Sequence, residues 1–302
     1  MLSFFANLFG YVLKLLYTIV GNYGWAIILF SILVKALMIP ISLKQQKSLK
    51  KNQKIQDEMK QIQFKYKNDP EKLNQETMAL YKREGMSPFS GCLSGILQII
   101  LLFSVFLLVR QPLTYMVKMD TDVINKMESI VAEQDQGNKN AYAEIAVIQY
   151  VKNLENNNSV SKDENFNIKD YAEQANLNMD FLGIDLSQIP SKNPTDVKVL
   201  IIPILYVISS FISIKLSSNL TKQKEKDKKL ITDGTEGEEP YNPMPDMSKT
   251  MMWMMPIMSV SIAAIAPLGL ALYWLMNNIL MIIERIVIDK ILDKEEEAEK
   301  NA

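Results

Sequence analysis

Between Thr250 and Ile283 the chain runs for thirty-four residues without a charge. A helix needs ~20 apolar residues to cross ~30 Å of hydrocarbon, so the run is too long for one crossing and short for two. Pro267 stands at its middle within "APLG", and two helices joined by a tight turn are expected, at 250–266 and 267–288. Such a hairpin must borrow length past Lys249 and Glu284, or sit where the bilayer is thin. Three other stretches qualify as spans: 23–43, broken only by Lys35; 88–110, ending at Arg110; and 198–216. The chain's 48% hydrophobic residues are concentrated in these runs, so the expectation is an all-α polytopic membrane protein with five spans.

Charge in the connecting segments sets orientation. Lys44 to Met86 carries eleven Lys and Arg against six acids, whereas Gln111 to Val197 carries seven Lys against fourteen acids. The first segment, 44–87, is therefore expected inside and the second, 111–197, outside. That places the N-terminus outside and the tail, 289–302, inside. The loop 217–249 also falls inside, in agreement with its "KQKEKDKK". Residues 1–22 admit three readings: an interfacial helix, a sixth span or a signal peptide. Neither a basic leader nor a small-x-small cleavage site is evident in them. Lys14, Asn7 and the short "GNYG" link favour a helix lying along the surface.

The basic segment 44–87 reads as a helical hairpin. Ile55, Met59, Ile62 and Tyr66 follow helical spacing along one arm; Asp69-Pro70 supplies an N-cap and a first-turn proline for the other. Leu73, Leu80 and Tyr81 give the second arm its stripe, and Gly85 ends it. Lys50, Lys51, Lys54, Lys60, Lys65 and Lys67 make the hairpin a candidate docking surface; a solvated helix pair accounts for the same pattern. Outside, Val123, Ile124, Met127, Ile130 and Val131 mark one amphipathic helix, and Tyr142, Ile145 and Ile148 suggest another. A connection of that length is expected to be a small helical cap or partly mobile.

Lys35 is the residue that most needs explaining. A lysine in mid-span costs ~3 kcal/mol on insertion scales and faces protein or water. Its stem reaches ~6 Å, but Lys44, the next charge, lies ~13 Å further along the helix, so local water must supply the rest. A functional, water-exposed cavity and a tolerated lysine both remain open. Ser31, Ser94, Gln98, Tyr273, Trp274, Asn277 and Asn278 could line such a cavity. Each also has an ordinary role: serines bond back to their own helix, and Trp and Tyr anchor at interfaces. No carboxylate is expected deep enough to pair with Lys35, and Glu284 beside Arg285 reads as boundary charge at the inner end of the last span. The cluster "MMWMMPIM" (251–258) is adaptable apolar surface, facing lipid, packed helix or substrate.

The chain has no His and a single Cys, Cys92, which removes imidazole bases, His-based metal sites, an internal disulfide and Cys-based zinc sites. No cofactor, metal or bond-making chemistry is expected.

The order of motifs through residues 23–98 carries a family resemblance: a span with an inner-half cation, then "PISLKQ", a basic hairpin, and "GCLSGILQ". With "FLGIDLS" (181–187) and "APLGLALYW" (266–274), the sequence resembles the Oxa/YidC/Alb family of membrane insertases. The resemblance implies five core helices around a positively charged groove, open to cytoplasm and lipid and closed outside, in a bacterial plasma membrane. It implies that Lys35 is the groove cation, that Gln98 and Trp274 line the groove, and that the partners are nascent membrane proteins and lipids. The Sec translocon and the ribosome are further partners it suggests; nucleic-acid readout is not. A short, often acidic substrate tail would be held transiently in the groove while its hydrophobic segment slides along the third and fifth spans. Lys replaces the common Arg, Ser94 and Ile99 stand where prolines are frequent, and the tail "DKILDKEEEAEKNA" is acidic. An anion transporter or channel using Lys35, and a scaffold with the hairpin as docking arm, are the competing readings.

Overall fold

A computed structural model of the chain describes residues 1–85, 90–134, 142–154, 166–229 and 261–301. Helix α1, Leu2–Val20, ends at Gly21, and Asn22 starts the next helix by accepting the Trp25 N–H at 3.2 Å. That helix, α2, is continuous from Tyr23 to Lys65 and carries Pro40 inside it. The expected first span and first hairpin arm are therefore one rod, ~64 Å long at 1.5 Å per residue. Helix α3, Pro70–Arg83, begins where Asp69-Pro70 predicts, with the Asp69 carboxylate accepting the Lys72 N–H at 3.1 Å. It folds back on α2 through buried Ile55 and Leu80 and an Arg83–Glu58 ion pair.

Helix α4, Ser90–Arg110, occupies the expected second span. A π-helical turn, Leu113–Val117, follows it, then α5, Thr121–Gln134, and α6, Ala143–Leu154. These two helices fall where the apolar spacing outside predicts them and bury Ile124, Met127, Ile145, Val147 and Ile148. A 3-10 turn at Ile168–Tyr171 leads into the short α7, Ala172–Ala175. Strands β1, Asp180–Phe181, and β2, Ile184–Asp185, then pair antiparallel. Their two-residue turn puts Leu182 at φ 53° and Gly183 at φ 76°, the left-handed geometry that matches the twist of a tight hairpin.

Helix α8, Val197–Lys229, carries the expected third span; α9, Leu268–Asn301, carries the fifth and runs unbroken through the tail. The expected fourth span, 250–266, and the methionine cluster lie outside the described residues, except for the helical 261–265. By length and hydropathy four helical stretches among the described residues suffice to cross a membrane: Leu2–Val20, Tyr23–Ser48, Val197–Leu216 and Leu268–Leu292. Rows of exposed aliphatic side chains, such as Ile201, Ile204, Leu205, Ile208 and Ile212 on α8, suit a lipid surround rather than water. The chain is an all-α polytopic membrane protein, its only strands being that short hairpin among the described residues.

The starts of α2 and α9 are tied together by residues 178–188. A helix start leaves backbone N–H groups without partners, and here a loop supplies them. Tyr23 N–H donates to the Asn178 carbonyl (2.9 Å), Leu268 N–H to that of Gln188 (2.9 Å) and Gly269 N–H to that of Leu186 (2.8 Å). The Asn178 amide returns a bond to the Gly21 carbonyl at 3.1 Å. Phe181 packs so closely on Gly24 that a β-carbon there would collide with its ring. Asp185 pins this loop to α6: it accepts from Lys152 at 2.8 Å and from the Ser187 N–H at 3.0 Å. Burial acts to raise its carboxyl, but the bonds from Lys152 and Ser187 prevail and hold it below the usual range.

Candidate functional site

Lys35 stands twelve residues into α2, ~18 Å from its start at Tyr23. It opens on a cavity of about 300 Å³ between α2, α4 and α9. From α2 the walls are Ser31, Val34, Lys35, Met38, Ile41, Ser42, Gln45 and Gln46, recurring every three or four residues as one helix face. From α9 they are Tyr273, Asn277, Met281, Glu284, Arg285 and Ile288, and from α4 Leu97, Leu101 and Leu102. The cavity thus runs from mid-span towards the basic hairpin, with apolar α4 on one side and polar groups on the other two.

The sequence places no partner beside Lys35, and the structure corrects this. Its ammonium donates to the Glu284 carboxylate at 3.0 Å, with the two side chains 18% and 13% exposed. The reason lies in register. A β-carbon on Gly269 would sit 3.5 Å from the Tyr23 ring, so α2 and α9 are level at their starts. Counted along both helices from there, Glu284 lies roughly 5 Å further on than Lys35, within the ~6 Å reach of a lysine stem. Glu284 is inside the apolar stretch Leu268–Leu292 rather than at its edge. The uncharged run ends at Glu284, which in sequence looks like a boundary; counting from the outer turns "GNYG" and "APLG" would have found the pair.

Of the other sequence candidates, Ser31, Tyr273 and Asn277 line the cavity with Lys35. Ser31 is buried and its hydroxyl donates back to the Ile27 carbonyl at 2.7 Å. Trp274 and Asn278 fall one position round the helix and face α8 instead. Trp274 leans on Tyr206 with ring centres 5.8 Å apart, and the Asn278 amide donates to Ser210 Oγ at 2.8 Å and, more weakly, to Ser209 Oγ at 3.4 Å. A paired asparagine needs partners in lipid, and one of the two finds them between helices. Ser94 and Gln98 belong to α4, but their side chains lie outside the described residues.

In the hairpin, Lys51, Lys60, Lys65 and Lys67 are exposed and Lys50 is half-buried; the Lys54 side chain lies outside the described residues. At the hairpin's base Lys47 pairs with Glu295 of α9 at 2.8 Å, which sets the acidic tail beside α2 there, and Ile288 and Leu292 of α9 are buried. No group of three or more metal-ligating side chains occurs among the described residues.

Residues 15–296 match the family model described as 60Kd inner membrane protein. Among proteins named membrane protein insertase YidC, that of Treponema denticola is 27% identical over 284 residues, 94% of this chain and 37% of the relative. That of Chlorobaculum parvum is 28% identical over 279 residues, 92% of this chain and 35% of the relative. That of Syntrophus aciditrophicus reaches 49% over 94 residues, 31% of this chain and 17% of the relative. The chain therefore spans little more than a third of the length of the relatives it matches from end to end.

Proposed function

The chain belongs to the 60Kd inner membrane protein family, and from that membership we propose that it inserts membrane proteins into the lipid bilayer. The observation that carries the reading is the cavity at Lys35, a polar chamber sunk between apolar spans. A substrate crossing the bilayer must bring a polar tail through hydrocarbon, and the loss of hydration of that tail is the main barrier. The cavity shortens the dry path. Its walls offer donors from Lys35, Arg285, Tyr273 and Asn277 to an anionic or polar tail. The hydrophobic segment of the substrate then moves along the exposed aliphatic faces of α8 and α9, where Ile208, Ile212, Ile279 and Ile283 lead directly into lipid.

Orientation follows the charge asymmetry, with the basic hairpin and tail inside. The hairpin lysines are then the receiving surface for nascent chains, the ribosome or the Sec translocon. The ties at residues 178–188 suit a groove closed on the outside. An interfacial role for α1 draws support from its contacts. Lys118 bonds to Asn7, Gly10 abuts Tyr115, Lys14 reaches the Val117 carbonyl and Tyr17 accepts from Asn178, all with outer elements.

Reconstitution in liposomes tests the reading. A single-span substrate with a short acidic outer tail is expected to insert with the wild type and Lys35→Arg, and to fail with Lys35→Ala. Equal insertion by all three would remove the cation from the mechanism; none above empty liposomes would remove independent insertase activity.

A further inference from the structure

Resting on the reading of the cavity as the tail site, we infer that Glu284 is its resident occupant. Its carboxylate holds Lys35 in the empty chain, and an incoming acidic group takes its place. Among the described residues lining the cavity, Glu284 is the one carboxylate, set against two cations, Lys35 and Arg285. The wall charge is therefore +1: enough to favour an anion, with most of the lysine's field already cancelled at rest. Glu284 is also incompletely satisfied. Oε2 accepts from Lys35 at 3.0 Å, whereas Oε1 is buried with no hydrogen-bond partner among the described residues. A buried acceptor left over in this way weakens the case for a purely structural bridge, because a locked ion pair must satisfy both oxygens to offset its desolvation.

Exchange explains how capture can be both charge-selective and brief. A lone buried ammonium would bind a substrate carboxylate and keep it. With Glu284 present, the arriving carboxylate replaces one ion pair by a similar one, and Glu284 turns to the water of the cavity. At ~30 Å³ per water, about 300 Å³ holds on the order of ten waters, room for a displaced carboxylate and an aspartate tail together. Return of Glu284 then expels the tail. Neutral tails cannot compete for Lys35 and meet the same cavity without exchange, so Glu284 sets the discrimination between acidic and neutral tails.

The test is binding of two short fluorescent peptides, one with an aspartate tail and one with asparagine in its place, to the full chain in nanodiscs. Insertion of the matching single-span substrates into liposomes is measured in parallel. Glu284→Gln removes the competitor while keeping shape, and is expected to tighten the acidic peptide roughly fivefold, the scale of a modest ion pair, and leave the neutral one unchanged. Glu284→Asp retains the charge on a shorter stem and should move the acidic peptide in the same direction by less, which serves if the glutamine variant does not fold. Equal affinities of wild type and both variants for the acidic peptide would overturn the inference, as would parallel losses for both peptides, the mark of a structural bridge. Wild type that binds with this pattern but inserts nothing would retain the exchange and sink the insertase reading; insertion with no change in the acidic-to-neutral ratio would do the reverse.

Discussion

Glu144 is 2% exposed, and its place predicts a pH-sensitive joint between α6 and the π-helical turn after α4. The π-helical turn Leu113–Val117 starts after Pro112, whose ring offers no group to cap it. Glu144 of α6 does so from a distance, accepting the Leu113 N–H at 2.7 Å, the Thr114 N–H at 3.0 Å and the Thr114 hydroxyl. Burial pushes its carboxyl up to about 7, against these three bonds, and the charge of Glu128 on α5 adds to the rise. Glu128 is itself raised by burial and lowered by Arg110 at the end of α4. The folded joint therefore keeps the Glu144 proton from its ordinary value of 4.5 up to about 7, while the opened joint does not. Stability is greatest below that window and falls as pH rises through it, at ~1.4 kcal/mol per pH unit, or roughly 3 kcal/mol in all. Hydrogen exchange of the Leu113 and Thr114 amides reads the local opening, with Glu144→Gln correcting for the intrinsic pH dependence. Protection in the wild type relative to the variant is expected to fall about a hundredfold between pH 4.5 and 7.5. Parallel profiles across that range would refute the reasoning.

Three other outcomes follow from the packing. Lys35→Met leaves Glu284 to the water of the cavity and should cost only about 1 kcal/mol, the scale of a modest ion pair, seen as a small fall in the unfolding midpoint that Glu284→Gln in the same chain largely restores. A β-carbon on Gly10 would collide with the Tyr115 carbonyl, which is backbone and cannot swing aside. Gly10→Val should therefore lift α1 off the outer turn at a cost of about 1–3 kcal/mol, visible as proteolysis near Val20. Asn278→Ala removes the α8–α9 bond to Ser210 and should cost only about 0.6 kcal/mol, with insertion of acidic and neutral tails affected equally.

Much of this architecture is legible in the sequence because its signals are local. Uncharged runs mark the spans, Asp69-Pro70 marks the start of α3, and the spacing of Val123 to Val131 marks α5. Lys35 stands out by depth alone. What escapes is what depends on register between helices far apart in the chain. The pairing with Glu284 and the division of Tyr273 and Asn277 from Trp274 and Asn278 are of this kind, since one residue of rotation decides which neighbour a side chain meets. Nor does the sequence announce that 178–188 caps two distant helix starts, because those bonds run through backbone carbonyls and leave no side-chain pattern. The continuity of α2 across Leu43–Lys44 is hidden for a different reason: a change from apolar to basic composition looks like a boundary, yet both halves favour helix.

The outer ties and the inner ion pair are linked by geometry. Both α2 and α9 start from carbonyls of one loop, Asn178 for Tyr23 and Leu186 for Gly269. That fixes their relative height at their starts, and rigid helices carry it along at 1.5 Å per residue. The resulting offset of roughly 5 Å between Lys35 and Glu284 is within one lysine stem; a slip of a single turn, ~5.4 Å, that carried Glu284 further on would put it at ~10 Å and out of reach. Beyond the pair the same two helices run on together to Lys47 and Glu295, so the hairpin's base shares the register of the cavity. A cation can therefore be held deep in the bilayer because its counter-charge is delivered from a parallel helix at a set height. Displacing that counter-charge requires no movement of either helix, only a rotation of the Glu284 side chain into the cavity it already lines. On this account residues 178–188 act as a gauge for the ion pair, which gives them a reason to be rigid although they lie far from Lys35 and Glu284.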